Sequence, residues 1–366
     1  MNVTPADLSR SVARPLPHAA ECPEAPHEGE PGEHPGALCD ATPAEPFPTE
    51  SFHDGAAGPK PRAPAEPTAD VERLLFLTSR TFALAIPQLP EPLRREVGVA
   101  YLLFRVADTF EDATHWPRAE RLAALAAFDD LLDAPTRDEA AALAAAWVAA
   151  RPCDHEGYLE LLGAVPGVLG ELHAFAPAAR AAIVRHTRRT SEGMASFVSS
   201  GTEDGSLRLD ALGDLRRYCY FVAGIVGELL TELFLAFTPS LDRTREALTA
   251  RAALFGEGLQ LVNILKDADS DARHGRVYLP PGLERAEILA LARADLDAAT
   301  EYVAALESGG APRGVIGFVA LPVLLARATL DLLEGPGARR SISRAQVTAL
   351  VLRLEQNLDA GVPALS

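Results

Sequence analysis

The stretch that decides the fold is Tyr101-Leu-Leu-Phe-Arg-Val-Ala-Asp-Thr-Phe-Glu-Asp112, which places acidic residues among apolar ones. Asp108 and Asp112 are four residues apart and Glu111 is three from Asp108, so a helix would project all three from one side. Arg105 lies one turn earlier on that side. Burying carboxylates that repel each other without a counter-charge costs several kcal/mol. The stretch therefore predicts a buried helix whose acidic side is occupied by a cation.

A second stretch, Gln260-Leu-Val-Asn-Ile-Leu-Lys-Asp-Ala-Asp-Ser-Asp271, has a similar pattern. Gln260, Asn263, Asp267 and Asp271 are spaced three, four and four residues apart, which makes one stripe along three helical turns. Their oxygen atoms suit hard cations, and Mg²⁺ in particular is bound by one or two carboxylates together with substrate phosphate oxygens. Either run alone could be a solvated helix face. Both lie in strongly apolar helices, which favours two acidic stripes that line a cavity.

Helical periodicity continues outward from these two stretches and dominates from about residue 69 to residue 360. Strand–helix alternation and internal repeats are absent from the sequence. The fold class is therefore predicted to be all-α, a single large bundle of about ten helices around a central apolar cavity. Helices are predicted at 71–86, 91–115, 118–132, 137–150, 155–173, 178–199, 212–237, 243–267, 285–306, 312–333 and 343–357.

The first 68 residues have a different composition, with about half of the chain's 29 prolines and no apolar periodicity. Such a segment cannot bury enough surface to offset the entropy of ordering. It also lacks the basic start and apolar run of a secretory signal. We therefore predict a disordered proline-rich tail over 1–68 and one catalytic domain over 69–360.

Charge and cysteine content limit the partners and the compartment. The net charge of −17 argues against a nucleic-acid partner. The four cysteines have no metal-binding spacing, which fits a reducing cytoplasm. No stretch has the ~20 apolar residues that a bilayer span requires. We therefore expect a cytoplasmic protein, with peripheral association at the inner membrane surface compatible with the sequence.

Two acidic helices beside an apolar cavity suggest a defined reaction. Mg²⁺ would neutralise a diphosphate and make it a leaving group. A dry pocket would then keep the remaining allylic cation from water. The basic segment that contains Arg276 follows the second stripe and could bind phosphate. Aromatic faces could stabilise the cation, and the candidates are Tyr218, Tyr220, Phe221 and Phe318.

An ordered set of motifs closely resembles the squalene/phytoene synthase family, over about residues 72 to 335. The motifs are Ser79-Arg80-Thr81-Phe82, Asp108-x-x-Glu111-Asp112, Glu192-Gly-Met194, Tyr218-Cys-Tyr220-x-Val-Ala-Gly224-x-Val-Gly227, Gln260-x-x-Asn263-x-x-x-Asp267-x-x-x-Asp271 and Gly275-Arg-Val-Tyr-Leu-Pro280. The resemblance implies an isoprenoid synthase fold. It also implies the head-to-head condensation of two prenyl diphosphates through a cyclopropyl diphosphate.

The resemblance further implies roles for individual residues. Expected around magnesium are Asp108, Glu111, Asp112, Asn263, Asp267 and Asp271. Expected to contact diphosphate are Ser79, Arg80, Thr81, Arg105, Asn263 and Arg276. Expected at the reaction centre are Tyr101, Gln260 and Tyr218, with Tyr218 a candidate for proton handling; the four aspartates share the catalytic role.

One departure from the family pattern affects the second stripe. The motif usually reads Asp-x-x-Glu-Asp, and here Ser270 stands at the glutamate position, with Lys266 where arginine is common. Asp269 cannot replace the missing glutamate, because one residue turns it about 100° around the helix. The metal-facing aspartates are kept, so activity is expected, and the serine could alter either the metal affinity or the behaviour of a second cation.

The product is less constrained by the sequence than the reaction class. We expect farnesyl diphosphate as substrate and squalene as product, which requires NADPH. Phytoene from geranylgeranyl diphosphate, or dehydrosqualene, is the alternative. A head-to-tail prenyltransferase or terpene cyclase would call for an Asp-Asp-x-x-Asp motif that the sequence lacks. A catalytically silent partner subunit or lipid-binding scaffold is a further alternative, and Ser270 is its main support.

Overall fold

The computed structural model of this chain describes residues 70–79, 81–133, 135–202, 206–335 and 341–366. The predicted tail and Arg80 lie outside the described residues. Helices dominate throughout the described part. Their order is α1 (Val71–Thr78), α2 (Phe82–Ala85), α3 (Leu93–Glu111), α4 (Arg118–Leu131), α5 (Arg137–Ala150), α6 (Glu156–Ala174), α7 (Pro177–Ser200), α8 (Leu212–Cys219), α9 (Ile225–Phe237), α10 (Arg245–Arg273), α11 (Arg285–Gly309), α12 (Arg313–Glu334) and α13 (Arg344–Ala360).

Most predicted helices are confirmed, and the differences occur where local chemistry interrupts them. The first predicted helix ends at Thr78, because Ser79 is extended and its hydroxyl accepts the backbone N–H of Phe82. Pro166 lies inside α6, which continues unbroken past it. Helix α10 continues six residues beyond its predicted end at Asp267, to Arg273, which keeps Asp271 on the same helix as Gln260.

Helices α3 and α10 are central, since each packs against several others. Helix α3 contacts α4, α6 and α7, and helix α10 contacts α9, α11 and α12. Both helices contribute buried apolar residues to the core, such as Leu102 on α3 in the larger cluster and Leu261 on α10 in the smaller one. The two acidic stripes therefore lie on helices held by burial on their remaining sides.

Between α8 and α9 the chain forms a π-helical turn, Tyr220–Gly224, inside what the sequence predicts as one continuous helix. A π turn inserts one residue into the helical ladder and rotates everything that follows, and such turns are frequent at functional sites. Because of this turn, the side chains of Tyr218 and Tyr220 point in different directions. Tyr218 is buried, while the Tyr220 hydroxyl is held by Arg189 and by Glu228.

Two short strands bring the basic segment beside α3. β1 (Leu207–Arg208) and β2 (Arg276–Val277) pair in parallel, with Leu207 opposite Arg276. This pair fixes the backbone of Arg276, whose guanidinium then reaches Asp112, the residue that caps the C-terminal end of α3. Sequence periodicity gave no strand here because two residues are too few to show an alternation.

Two helical segments, Leu212–Phe237 and Arg313–Glu334, are long and apolar enough to cross a bilayer by length and composition alone. Core helices of bundles have the same composition. Charged residues on both segments pair with neighbouring helices: Glu228 with Arg189, and Arg327 with Asp297. In the described structure both segments pack within the bundle.

A buried charge cluster joins α8, α10 and α11 beneath the π turn. The Arg216 guanidinium lies 3.1 Å from Glu257 and 3.6 Å from Asp295, and one Asp295 oxygen has no hydrogen-bond partner. One arginine thus serves two carboxylates. Burial raises the pKa of Glu257 to about 7, with Arg216 opposing and with Asp295 and Glu228 adding to the rise.

We expect the Glu257→Gln variant to be more stable than the parent protein at pH 8 and similar to it at pH 5. A glutamate whose pKa is higher in the folded state than its ordinary 4.5 contributes stability at low pH, which is lost as the pH rises toward 7. The gain at pH 8 should be on the order of 2 kcal/mol. Thermal unfolding of both proteins across this range measures it, and a pH-independent difference would contradict the assignment.

Candidate active site

Helix α3 presents Asp108 and Asp112 next to two arginines. Asp108 lies 3.1 Å from the Arg105 guanidinium, and Asp112 lies 2.6 Å from that of Arg276. Burial raises the pKa of Asp108 to about 6; Arg105 opposes the rise and Asp112 adds to it. The two aspartates therefore face the same small volume, in which negative charge is disfavoured unless a cation is present.

Glu111 points to a different place from the two aspartates. Its residue is only 6% exposed, and it lines a cavity of about 10 Å³ together with Arg121, Arg276 and Tyr278. Burial, and then the charge of Asp112, raise the pKa of Glu111 to about 8. The structure thus separates Glu111 from the outer side of Asp108 and Asp112, and it brings Glu111 close to Tyr218, which also contributes to its electrostatics.

Helix α10 supplies the facing stripe. Asp267 lies 3.2 Å from the Lys266 ammonium, Gln260 and Asp271 are half-buried, and Asn263 is exposed. Burial raises the pKa of Asp271 to about 6, with further increases from Asp267 and from Asp112 across the gap. Arg276 on β2, which follows α10, forms an ion pair with Asp112 and so links the ends of the two acidic segments.

The carboxylates of the two helices do not form a closed metal cage in the described part of the chain, where no group of three His, Cys, Asp or Glu residues has metal-binding geometry. Their chemistry nevertheless fits Mg²⁺. They are oxygen donors on facing helices, and burial together with mutual repulsion disfavours their charge. Such an open donor set fits an ion shared with substrate phosphate oxygens.

Tyr218 lies deep beside Glu111. The tyrosine is 4% exposed, its hydroxyl donates to the Tyr278 hydroxyl at 3.1 Å, and the Phe197 ring meets it edge-on at 5.1 Å. Burial, then Glu111 and Tyr278, hold the pKa of Tyr218 well above its ordinary value. The phenol therefore stays protonated at neutral pH. Tyr278 was not among the predicted site residues, although the Gly275–Pro280 motif contains it.

The residues predicted to contact diphosphate are only partly free to do so. Ser79 uses its hydroxyl to accept the Phe82 N–H, and Thr81 occupies the N-terminal position of α2 without a side-chain cap. Arg105 donates to the Tyr101 hydroxyl, which itself donates to the Thr78 carbonyl. Among the described residues, Arg105 and Arg276 are the cations that form ion pairs with Asp108 and Asp112.

Two of the aromatic candidates make their contacts with residues other than the acidic ones of the two stripes. The Tyr220 hydroxyl accepts a hydrogen bond from Arg189 and donates one to Glu228. Phe318 is 1% exposed, and its ring packs against those of Phe82 and Phe234. Phe221 lies nearer, with its ring 6.4 Å from that of Phe197. The π turn causes the outward orientation of Tyr220, and helical spacing alone could not predict it.

Comparison with known sequences shows which protein family this chain matches. The sequence model of the family described as squalene/phytoene synthase matches residues 77–283. A squalene synthase of Botryococcus braunii is 34% identical over 54% of this chain and 39% of its own length. One of Cyberlindnera jadinii is 31% identical over 60% of this chain and 47% of its own length. The chain thus spans less than half the length of these curated relatives.

Solved structures show the same fold. The complex of TcSQS with the ligand BPH1237 superposes with a TM-score of 0.61 at 25% identity, over 79% of this chain and 88% of that one. A dehydrosqualene synthase bound to a ligand has a TM-score of 0.51 at 19% identity, over 79% of this chain and 95% of that one. The all-α prediction and the isoprenoid synthase fold are confirmed, and this chain belongs to the squalene/phytoene synthase family.

Proposed function

We propose that this protein condenses two molecules of farnesyl diphosphate head to head, through presqualene diphosphate, to squalene. The observation that supports it most directly is the ion pair between Asp112, at the end of α3, and Arg276, just after α10, with the Tyr218–Tyr278 pair beside it. The squalene synthase relatives favour squalene over phytoene or dehydrosqualene as product. NADPH would supply the hydride for the last step.

Magnesium would be held by Asp108, Asp112, Asn263, Asp267 and Asp271, and it would neutralise the diphosphate and promote its departure. Arg105 and Arg276 now pair with the α3 aspartates and lie close enough to bind diphosphate oxygens when the substrate arrives. The sequence motif adds Ser79, Arg80 and Thr81 to this proposed diphosphate site. Glu111 faces Tyr218 and Arg121, so we assign it to the support of that tyrosine and not to the metal.

The chain's own groups account for the remaining requirements. Tyr218 holds its proton because burial raises its pKa, so its hydroxyl can donate a hydrogen bond to a developing negative charge or stay next to an allylic cation without reacting. Tyr101 and Gln260 would line the same reaction centre. The apolar environment of α3 and α10 excludes water, which would otherwise quench the cation.

The product assay tests this proposal directly. Purified protein is incubated with farnesyl diphosphate and Mg²⁺, with and without NADPH, and the extracted lipids are analysed by mass. We expect squalene only when NADPH is present. A C30 product without NADPH would indicate dehydrosqualene or presqualene diphosphate, and a product only from geranylgeranyl diphosphate would indicate phytoene. No product from either substrate would contradict catalysis and favour the silent partner subunit.

A further inference from the structure

The start of helix α6 brings a second aromatic residue to Arg105. The Tyr158 ring centroid lies 5.5 Å from the Arg105 Cζ atom, which is the same distance as that of Tyr101. His155 stacks on Tyr158 with ring centroids 4.1 Å apart and an interplanar angle of 29°. Arg105 therefore contacts two tyrosine rings, one of which is backed by an imidazole.

Three separate contacts set the position of Tyr158. His155 caps α6, because its Nδ1 atom accepts the Tyr158 backbone N–H. Gly157 packs against α1 so closely that an added Cβ would come 2.7 Å from the Leu77 carbonyl oxygen. Arg73 on α1 forms a two-pronged ion pair with Glu160 on α6. The first turn of α6 is thus docked on α1, and the Tyr158 ring has little freedom to leave Arg105.

Arg105 has a specific need for such support. Its Nε atom is buried and has no hydrogen-bond partner, and its only carboxylate partner among the described residues is Asp108. In the proposed function Asp108 also serves magnesium, and an aspartate shared with a metal ion holds the arginine less firmly. The two aromatic faces attract a guanidinium through the ring quadrupole and do not compete for metal or phosphate.

We propose that Tyr158 is a positioning residue, which holds the Arg105 guanidinium toward a diphosphate group by its aromatic face. This inference rests on the proposed function insofar as the diphosphate belongs to a prenyl substrate. Helix α6 carries none of the motifs that identified the site from sequence. The ring face, and not the hydroxyl, makes the contact, so phenylalanine should replace tyrosine and leucine should not.

The test compares Tyr158→Phe with Tyr158→Leu in the full-length protein. Binding of inorganic diphosphate with Mg²⁺ is measured by titration calorimetry, and KM and kcat are measured with farnesyl diphosphate. We expect Tyr158→Leu to raise Kd and KM about tenfold, within the range of a desolvated cation–π contact, while kcat changes little. Tyr158→Phe should stay within about twofold of the parent protein.

Each result separates the positioning role from a structural one. Weaker binding in Tyr158→Leu, with unchanged kcat and melting temperature, supports the inference. Equal impairment in both variants would show that the hydroxyl matters and would overturn it, as would parent-like binding in Tyr158→Leu. A lower kcat with unchanged KM would also overturn it, because the ring would then act on packing rather than on diphosphate binding.

The calorimetric arm distinguishes this inference from the proposed function. If the parent protein binds diphosphate but forms no lipid product, the proposed function fails, while the comparison of the two variants still decides the role of Tyr158. If the parent protein binds no diphosphate at all, Arg105 has no such ligand and the inference fails, whatever lipid the product assay detects.

Discussion

Replacing Asp108 or Asp267 by asparagine should lower turnover by roughly a thousandfold or more, because each change removes a charge on which the departure of the diphosphate depends. The two aspartates lie on different helices, so equal losses would show that both stripes serve one reaction. Asparagine keeps the size of the aspartate side chain and one oxygen atom that can bind a metal ion. The measurement is the rate of diphosphate release from farnesyl diphosphate under saturating Mg²⁺.

The fold should tolerate the change at Asp108. Burial disfavours the charge of Asp108 and raises its pKa to about 6, so a neutral side chain removes the free-energy cost of burying that charge. Arg105 would still donate its hydrogen bond to the Tyr101 hydroxyl and contact the rings of Tyr101 and Tyr158. We expect the melting temperature of Asp108→Asn to stay within a few degrees of the parent value.

Asp269 offers a matched control for the second stripe. It lies on α10 two residues from both Asp267 and Asp271, which turns it about 200° around the helix from each of them, and it is exposed. Asp269→Asn should therefore keep near-parent activity. Near-parent activity in Asp108→Asn or Asp267→Asn would reject the two-stripe assignment, and a large loss in Asp269→Asn would show that charge in this helix matters irrespective of direction.

The helices were predictable from sequence because their apolar period of 3.6 residues is strong, and capping residues such as Thr136 and Ser343 mark their starts. The acidic stripes were predictable for the same reason. The direction in which each acidic side chain points could not be predicted in the same way. Glu111 and Asp112 differ by about 100° around the helix axis, so either could face the metal side. Only tertiary packing, which places Glu111 in a small cavity with Arg121 and close to Tyr218, decides that Glu111 turns inward.

What the sequence could not supply was proximity between distant segments. Tyr158 lies 53 residues after Arg105, in a helix without a recognisable motif, and only the docking of α6 on α1 brings them together. The π turn at Tyr220–Gly224 could not be predicted from the sequence either. The apolar pattern continues through the turn, although the turn rotates the part of the helix that follows. Close tertiary contacts, not local preferences, decided these features.

The second large effect is expected at the crossing of α9 and α10, where Gly227→Ala should destabilise the protein by about 3 kcal/mol or more. A Cβ on Gly227 would overlap the Ala252 carbonyl oxygen, and one on Gly256 would overlap that of Ala223. Both obstacles are backbone atoms, so no side-chain rotation can relieve them. The two helices would have to move apart.

Gly170 provides the control for this prediction. It lies inside α6 with no atom within 4 Å of an added Cβ, so Gly170→Ala should stabilise the helix by about 0.5–1 kcal/mol. Soluble yield and thermal unfolding of the three proteins measure the contrast, and a Gly227→Ala variant as stable as the parent would show that the crossing is loose. The same crossing sets the position of Tyr218, just before the π turn, relative to the stripe on α10. Any Gly227→Ala protein that folds should therefore also lose activity, because a shift of about 1 Å between catalytic groups costs on the order of a hundredfold in rate.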